Sequence, residues 1–227
     1  MAERTSWAGA AGAAALIAIL AASCGSSSNG LTSKTPAQIL AAAVSATSAA
    51  TSYEIGGTGT FADGVTSIDF KVAGSNLNGS FVLAGSTVDV MQIAGNVYIN
   101  APAAYYVFEG ETAARAALLD HVWVEATAGS KVASDFFTLS GLLDISSDLS
   151  SAEAVTSGGT GSVGGQSVVI LEAADGTGVD IATSGPAYPV QITTTGSSAA
   201  VYTLSDWDSV AAFTPPPNPI LIPSTSS

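Results

Sequence analysis

The sequence predicts an α+β domain built on one large curved antiparallel β-sheet, a half-barrel, with helices packed on its concave face. Three observations carry this expectation. A capped helix opens at residue 35, apolar residues alternate with a period of two from residue 52 and again from residue 153, and helical spacing returns between those two runs. An open antiparallel sheet of about ten strands has to twist and curl, which leaves a concave side for the helices to cover.

The elements follow in chain order. At Thr35-Pro36-Ala37-Gln38 a threonine caps, proline takes the first helical position and glutamine returns three residues later. Ile39, Leu40, Ala43, Val44 and Thr47 then fall three or four apart, giving a helix with one apolar face that ends near Ala50. Strands are expected at 52–61, 65–73, 77–84, 86–94 and 96–101, joined by short turns at Asp63-Gly64, Ala84-Gly85-Ser86 and Gly95-Asn96. Strand 65–73 alternates most regularly, with Ile68, Phe70 and Val72 on one face and Ser67, Asp69 and Lys71 on the other. Residues 111–120 read as helix, 121–126 as a short strand carrying His121 and Trp123, and 131–143 as helix again. In that last segment Val132, Phe136, Leu139 and Leu143 form an apolar stripe that must cover apolar surface. Strands return at 153–162, 165–173, 177–184, 188–195 and 199–206, and the chain then enters Thr214-Pro215-Pro216-Pro217, a tail that is not expected to extend the sheet.

The N-terminus has a different character. Arg4 precedes an almost uninterrupted run of Ala, Gly, Leu and Ile from Trp7 to Ala22, too short and too rich in small residues for a membrane span and shaped like a secretion signal. Leu20-Ala21-Ala22-Ser23-Cys24 resembles the bacterial lipobox, with Leu20 one step ahead of its usual place. The resemblance implies cleavage before Cys24 and acylation of its thiol, which as the only cysteine in an exported chain has no internal disulfide partner. Two or more acyl chains hold a protein at a membrane stably. The expected organisation is therefore a signal peptide (1–23), a lipidated flexible tether (24–34) reaching roughly 18 Å from Cys24 to Thr35, one half-barrel domain (35–214) and a Pro/Ser-rich tail (215–227).

The net charge of −13, with five Lys and Arg against 18 Asp and Glu, excludes nucleic acid as a partner. Such a surface also repels anionic lipid head groups, so membrane contact is expected through the anchor on the extracytoplasmic side and not through the body.

Four passages carry a resemblance to a known family: the lipobox with its polar tether, Ile93-Ala94-Gly95-Asn96-Val97-Tyr98-Ile99, His121-Val122-Trp123-Val124, and Gly185-Pro186-Ala187-Tyr188-Pro189-Val190 followed by Leu204-Ser205-Asp206-Trp207. Together they are similar to the LppX, LprA and LprG family of mycobacterial-type envelope lipoproteins, related in fold to the periplasmic lipoprotein carriers. That resemblance implies a half-barrel over helices that holds the acyl chains of a lipid or lipoglycan in the cavity between them. The candidate lining is Ile68, Phe70, Val72, Phe81 and Leu83 from the sheet with Phe136, Leu139 and Leu142 from the helix. A second reading keeps the same fold with a closed core, as a non-enzymatic scaffold whose acidic faces meet another envelope component.

Catalytic and cofactor readings find little support in the residues, and neither an enzyme nor a cofactor is expected. Gly159-Thr160-Gly161-Ser162-Val163-Gly164 matches GxGxxG, but a strand follows it where a dinucleotide site needs a helix. His121 is the only histidine, which leaves no multi-histidine metal site, and it reads as a strand residue at a sheet end. Asp144, Asp148 and Glu153 match no calcium-loop spacing and read as a solvated acidic face, while Asn78-Gly79-Ser80, a glycosylation sequon by pattern, reads as a turn.

Overall fold

A computed structural model describes residues 28–60, 64–126, 144–151 and 154–222. Cys24, the signal segment, the helix expected at 131–143 with Phe136, Leu139 and Leu142, and Glu153 lie outside the described residues.

Helix α1 (Pro36–Ala49) starts where the capping box places it: the Thr35 side chain accepts from the Gln38 amide, and Gln38 returns to the Thr35 amide. Its buried stripe is Ile39, Ala43 and Thr47, and the buried Thr47 hydroxyl is satisfied by donating to the Ala43 carbonyl at 2.8 Å. Five strands follow, β1 (Ser52–Gly59), β2 (Val65–Ala73), β3 (Asn76–Leu83), β4 (Ser86–Ile93) and β5 (Asn96–Asn100), each antiparallel to the next. Two of their turns place Ala-Gly pairs at positive φ, 48° and 78° at Ala84-Gly85 and 50° and 84° at Ala94-Gly95. Such mirror-image turns match strand twist and join neighbours in register.

The middle of the chain departs from expectation. Helix α2 (Ala103–Phe108), unforeseen, starts after Pro102, and α3 (Ala113–Leu119) occupies the core of the expected 111–120 helix with Thr112 as cap. The expected strand 121–126 shrinks to β6 (Val124–Ala126), because His121 sits in a turn at φ 53° and donates its amide to the Ala101 carbonyl. It is a turn residue and not a strand residue. Helix α4 (Ile145–Ser151) was also unforeseen; the Asp144 carboxylate accepts from the Ser147 amide at its start.

Five further strands, β7 (Thr156–Val163), β8 (Gln166–Glu172), β9 (Gly178–Ala182), β10 (Pro189–Thr194) and β11 (Ala200–Ser205), form a second antiparallel run. The glycine-rich 159–164 passage is the end of β7 and its turn into β8. Pairing of β1 with β11 joins the two runs, and among the described residues the sheet has twelve strands in the order β12-β6-β5-β4-β3-β2-β1-β11-β10-β9-β8-β7.

Two expectations about the chain ends are corrected. The tail does extend the sheet: β12 (Ile220–Ile222) runs parallel to β6, because Ile220, Leu221 and Ile222 keep the amides that the neighbouring prolines lack. Residues 28–31, within the stretch expected as free tether (24–34), are docked. Ser28 bridges Ser184, the Asn29 side chain donates to the Ala182 and Gly185 carbonyls, and Leu31 is buried. The stretch between Cys24 and the docked chain is thus only a few residues long, a reach of about 15 Å at most.

The register identifies the concave face. Inward rows such as Tyr53↔Val72↔Leu77↔Gln92↔Val97 and Ile55↔Phe70↔Gly79↔Val90↔Ile99 run across the first half of the sheet, and Ile55↔Leu204 carries the second row into the other half. The apolar side chains of these rows share one core with Ile39 and Ala43 of α1, Tyr105 and Tyr106 of α2, Ala116 and Leu119 of α3, and Ile145 and Leu149 of α4. Met91, Ile93 and Tyr98 point the other way and pack with Trp123 and Phe213 in a small outer cluster.

An aromatic clasp closes one end of the sheet. Tyr188 stacks on Trp207 with ring centroids 4.4 Å apart, and Tyr53 leans on the same indole at 5.0 Å. Asp208 accepts from the Tyr188 hydroxyl and from both the amide (2.7 Å) and hydroxyl (3.0 Å) of Thr51. The Thr51 amide and the two hydroxyls hold the Asp208 carboxyl below its ordinary 3.8, while Asp208 and then burial push Tyr188 up to about 12. What Asp208 contributes is present above 3.8 and lost as pH falls through its depressed value. What Tyr188 contributes is present below 10.0 and lost as pH rises through about 12. The Trp207-dependent fluorescence, taken as wild type minus Trp207→Phe, is therefore expected to stay flat between these limits and change outside them. An Asp208→Asn variant whose profile keeps both edges would refute this linkage.

Candidate functional site

The larger cavity lies between the second half of the sheet and helices α1 and α4. It measures about 530 Å³ and is lined by Leu40 of α1, Ile55 of β1, Ile145, Asp148 and Leu149 of α4, and Val155. Leu171, Val179, Ile192, Thr194 and Tyr202 of β8–β11, with Ala173, Ala174, Asp175 and Thr177 around the β8–β9 turn, complete it. Its sheet side is dictated by register: Leu171↔Val179↔Ile192↔Tyr202 is an inward row across β8, β9, β10 and β11. The floor is apolar, and Asp148, Ala174 and Asp175 form an exposed rim.

A second cavity of about 450 Å³ lies beside it at the clasp end of the sheet. Thr47, Ser48 and Ala50 at the end of α1, Tyr53, Val72, Leu77 and Gln92 from the sheet, the turn 74–76, and Asp144, Ile145 and Ser146 line it. Ile145 faces both cavities.

Burial governs the electrostatics here. Burial first, and then Asp144 and Asp148, push the Tyr53 hydroxyl up to about 12; burial and then Asp148 raise Tyr202. Both are neutral phenols at physiological pH. Burial and then Asp144 raise Asp148, whose carboxyl takes up a proton above the ordinary aspartate range. Among the described residues that line either cavity, none is a Lys, Arg or His. Among the described residues, no group of three or more His, Cys, Asp or Glu is placed to hold a metal ion, and no helix is long and apolar enough to cross a membrane.

The sequence-derived lining divides. Ile68, Phe70, Phe81 and Leu83 are buried together in the shared core, and none of them lines the larger cavity. Val72 lines the second cavity. Sequence reasoning missed the row from β8 to β11. Each of those strands was legible, and the alternation that selected Ile68 and Phe70 applies equally to Leu171, Val179 and Ile192.

No family model matches the sequence, and no curated protein matches it. Solved structures do match. LprF from Mycobacterium bovis superposes with a TM-score of 0.59 at 14% identity, over 82% of this chain and 97% of that one. The chain has the LprF fold. Lipoprotein LppX from Mycobacterium tuberculosis superposes with a TM-score of 0.53 at 19% identity, over 78% of this chain and 98% of that one. The LprF and LppX fold thus accounts for nearly the whole of each relative, and the expected curved sheet with helices against it is the observed architecture.

Proposed function

We propose that this protein is an envelope lipoprotein, anchored through acylated Cys24 on the extracytoplasmic side, that takes the acyl chain of a lipid or lipoglycan into the larger cavity and carries or presents it without catalysis. The cavity carries this reading: about 530 Å³ with an apolar floor of Leu40, Ile55, Leu149, Leu171, Val179 and Ile192. Ligand sites commonly measure about 300–1,000 Å³, so one tail-sized ligand fits. Each methylene removed from water contributes about 0.8 kcal/mol, so roughly ten of them supply about 8 kcal/mol before the costs of ordering are subtracted. No charged group is needed for that binding. The fold shared with lipoprotein LppX is consistent with it.

The test is titration of the domain from residue 28 onward with a fluorescent alkyl-chain probe, followed by competition with unlabelled acyl lipid. Saturable binding of one probe, displaced by lipid, is the expected outcome. Failure to bind the probe would leave the non-enzymatic scaffold with a closed core as the better reading.

A further inference from the structure

We infer that the second cavity seats the ligand's polar head, and that this head is an uncharged, hydroxyl-bearing group such as the polyol of an acylglycerol or glycolipid. The inference rests on the acyl-chain reading of the larger cavity and adds a specificity to it.

Gln92 is the starting point. Along β4 the inward positions are Ser86 at the turn, then Val88, Val90 and Gln92, and Gln92 sits between Leu77 of β3 and Val97 of β5, both buried in the core. A polar residue in such a row breaks the strand's pattern, and breaks of that kind concentrate at functional sites. Its side-chain carbonyl oxygen is buried and has no hydrogen-bond partner among the described residues. Burying such a group without a partner is unfavourable, whereas an apolar side chain of the same size is not.

Three of the polar side chains that share the cavity with it are engaged elsewhere. The Asn76 side-chain oxygen accepts from the Ala94 amide at 3.0 Å. The Thr47 hydroxyl donates to Ala43, and the Asp144 carboxylate accepts from Ser146 at 2.9 Å and Ser147 at 3.1 Å. A ligand hydroxyl satisfies Gln92, and because a hydroxyl both donates and accepts it does so in either orientation of the amide. An anionic head is disfavoured: among the described residues the lining has Asp144 and no cation.

The two cavities are placed to share one ligand. Tyr53 and Ile55 are successive inward residues of β1, the first lining the second cavity and the other lining the larger one, and Ile145 faces both. A tail lying on Ile55 brings its head past Ile145 toward Gln92.

The experiment compares monopalmitoylglycerol with methyl palmitate, the same chain without hydroxyls, by competition against the bound alkyl probe in wild type, Gln92→Leu and Gln92→Met. Wild type is expected to bind monopalmitoylglycerol about tenfold more tightly than methyl palmitate. Both variants are expected to bind the two ligands within about twofold of each other, with affinity for methyl palmitate unchanged and thermal stability equal to or above wild type. Equal binding of the two ligands by wild type, as when Gln92 holds only water, overturns the head-group site and leaves the acyl-chain reading standing. A preference that survives in the variants also overturns it. Binding of neither ligand overturns both.

Discussion

Replacing Phe70 with alanine is expected to destabilise the domain by about 3–5 kcal/mol, a large share of the 5–15 kcal/mol or so that holds a typical domain folded. Phe70 is fully buried on β2, near the middle of the twelve-strand order. Its inward neighbours are Ile55 on one side and Gly79 on the other. The ring lies across Gly79, where an added Cβ would stand 2.6 Å from the Phe70 Cδ1 and 2.0 Å from the Asp69 carbonyl oxygen. The glycine of the apparent sequon therefore makes room for this ring, and the cross-strand pair is what packs the centre of the concave face. Truncation leaves a void that the strands on either side cannot close, since each is pinned by its own ladder. Equilibrium unfolding in denaturant measures the loss, and a change below about 1 kcal/mol would mean that Phe70 borders open space instead of packed core.

Replacing Ile192 with tryptophan is expected to produce the opposite profile. Ile192 is half-buried on β10, in the inward row Val179↔Ile192↔Tyr202 that floors the larger cavity. In a filled core an enlarged side chain costs about 1–3 kcal/mol through strain. In a cavity of about 530 Å³ the indole has space, so the fold should tolerate it, with stability changed by less than about 1 kcal/mol. The ligand then loses its place, and alkyl-probe affinity is expected to fall at least tenfold. A variant that is destabilised yet still binds the probe would show that the tail lies elsewhere. The pair Phe70→Ala and Ile192→Trp thus separates residues that hold the sheet together from residues that border the site.

That separation is also where sequence reasoning stopped. The strands were legible because alternation and Gly-containing turns are local properties, and the first helix because Thr35 and Gln38 form a complete capping box. Alternation states which side a residue faces but not what lies over it. Phe70 and Ile192 are both inward apolar residues; only the placement of Gly79, α1 and α4 decides that one is packed and the other borders a cavity. The short helices escaped for a related reason. Six residues in α2 and seven in α4 give too few turns for a period to register, and α4 offers only Ile145 and Leu149 as apolar residues among serines and an aspartate. The docking of Leu31 and the pairing of Ile220–Ile222 with β6 depend on distant chain, which composition does not encode. Gln92 was visible as a polar residue in a strand; its consequence required the register that seats it between Leu77 and Val97.

Whether the space between α1, α4 and β8–β11 is a lipid site is tested most directly by purifying the domain without Cys24 acylation and extracting it with organic solvent. Mass spectrometry then identifies what was carried. One acyl-bearing molecule in near-stoichiometric amount is expected from the wild-type protein, and its loss from Ile192→Trp. An extract free of lipid, from a protein whose cavity also fails to take up added acyl chains, would contradict the assignment of this cavity to lipid.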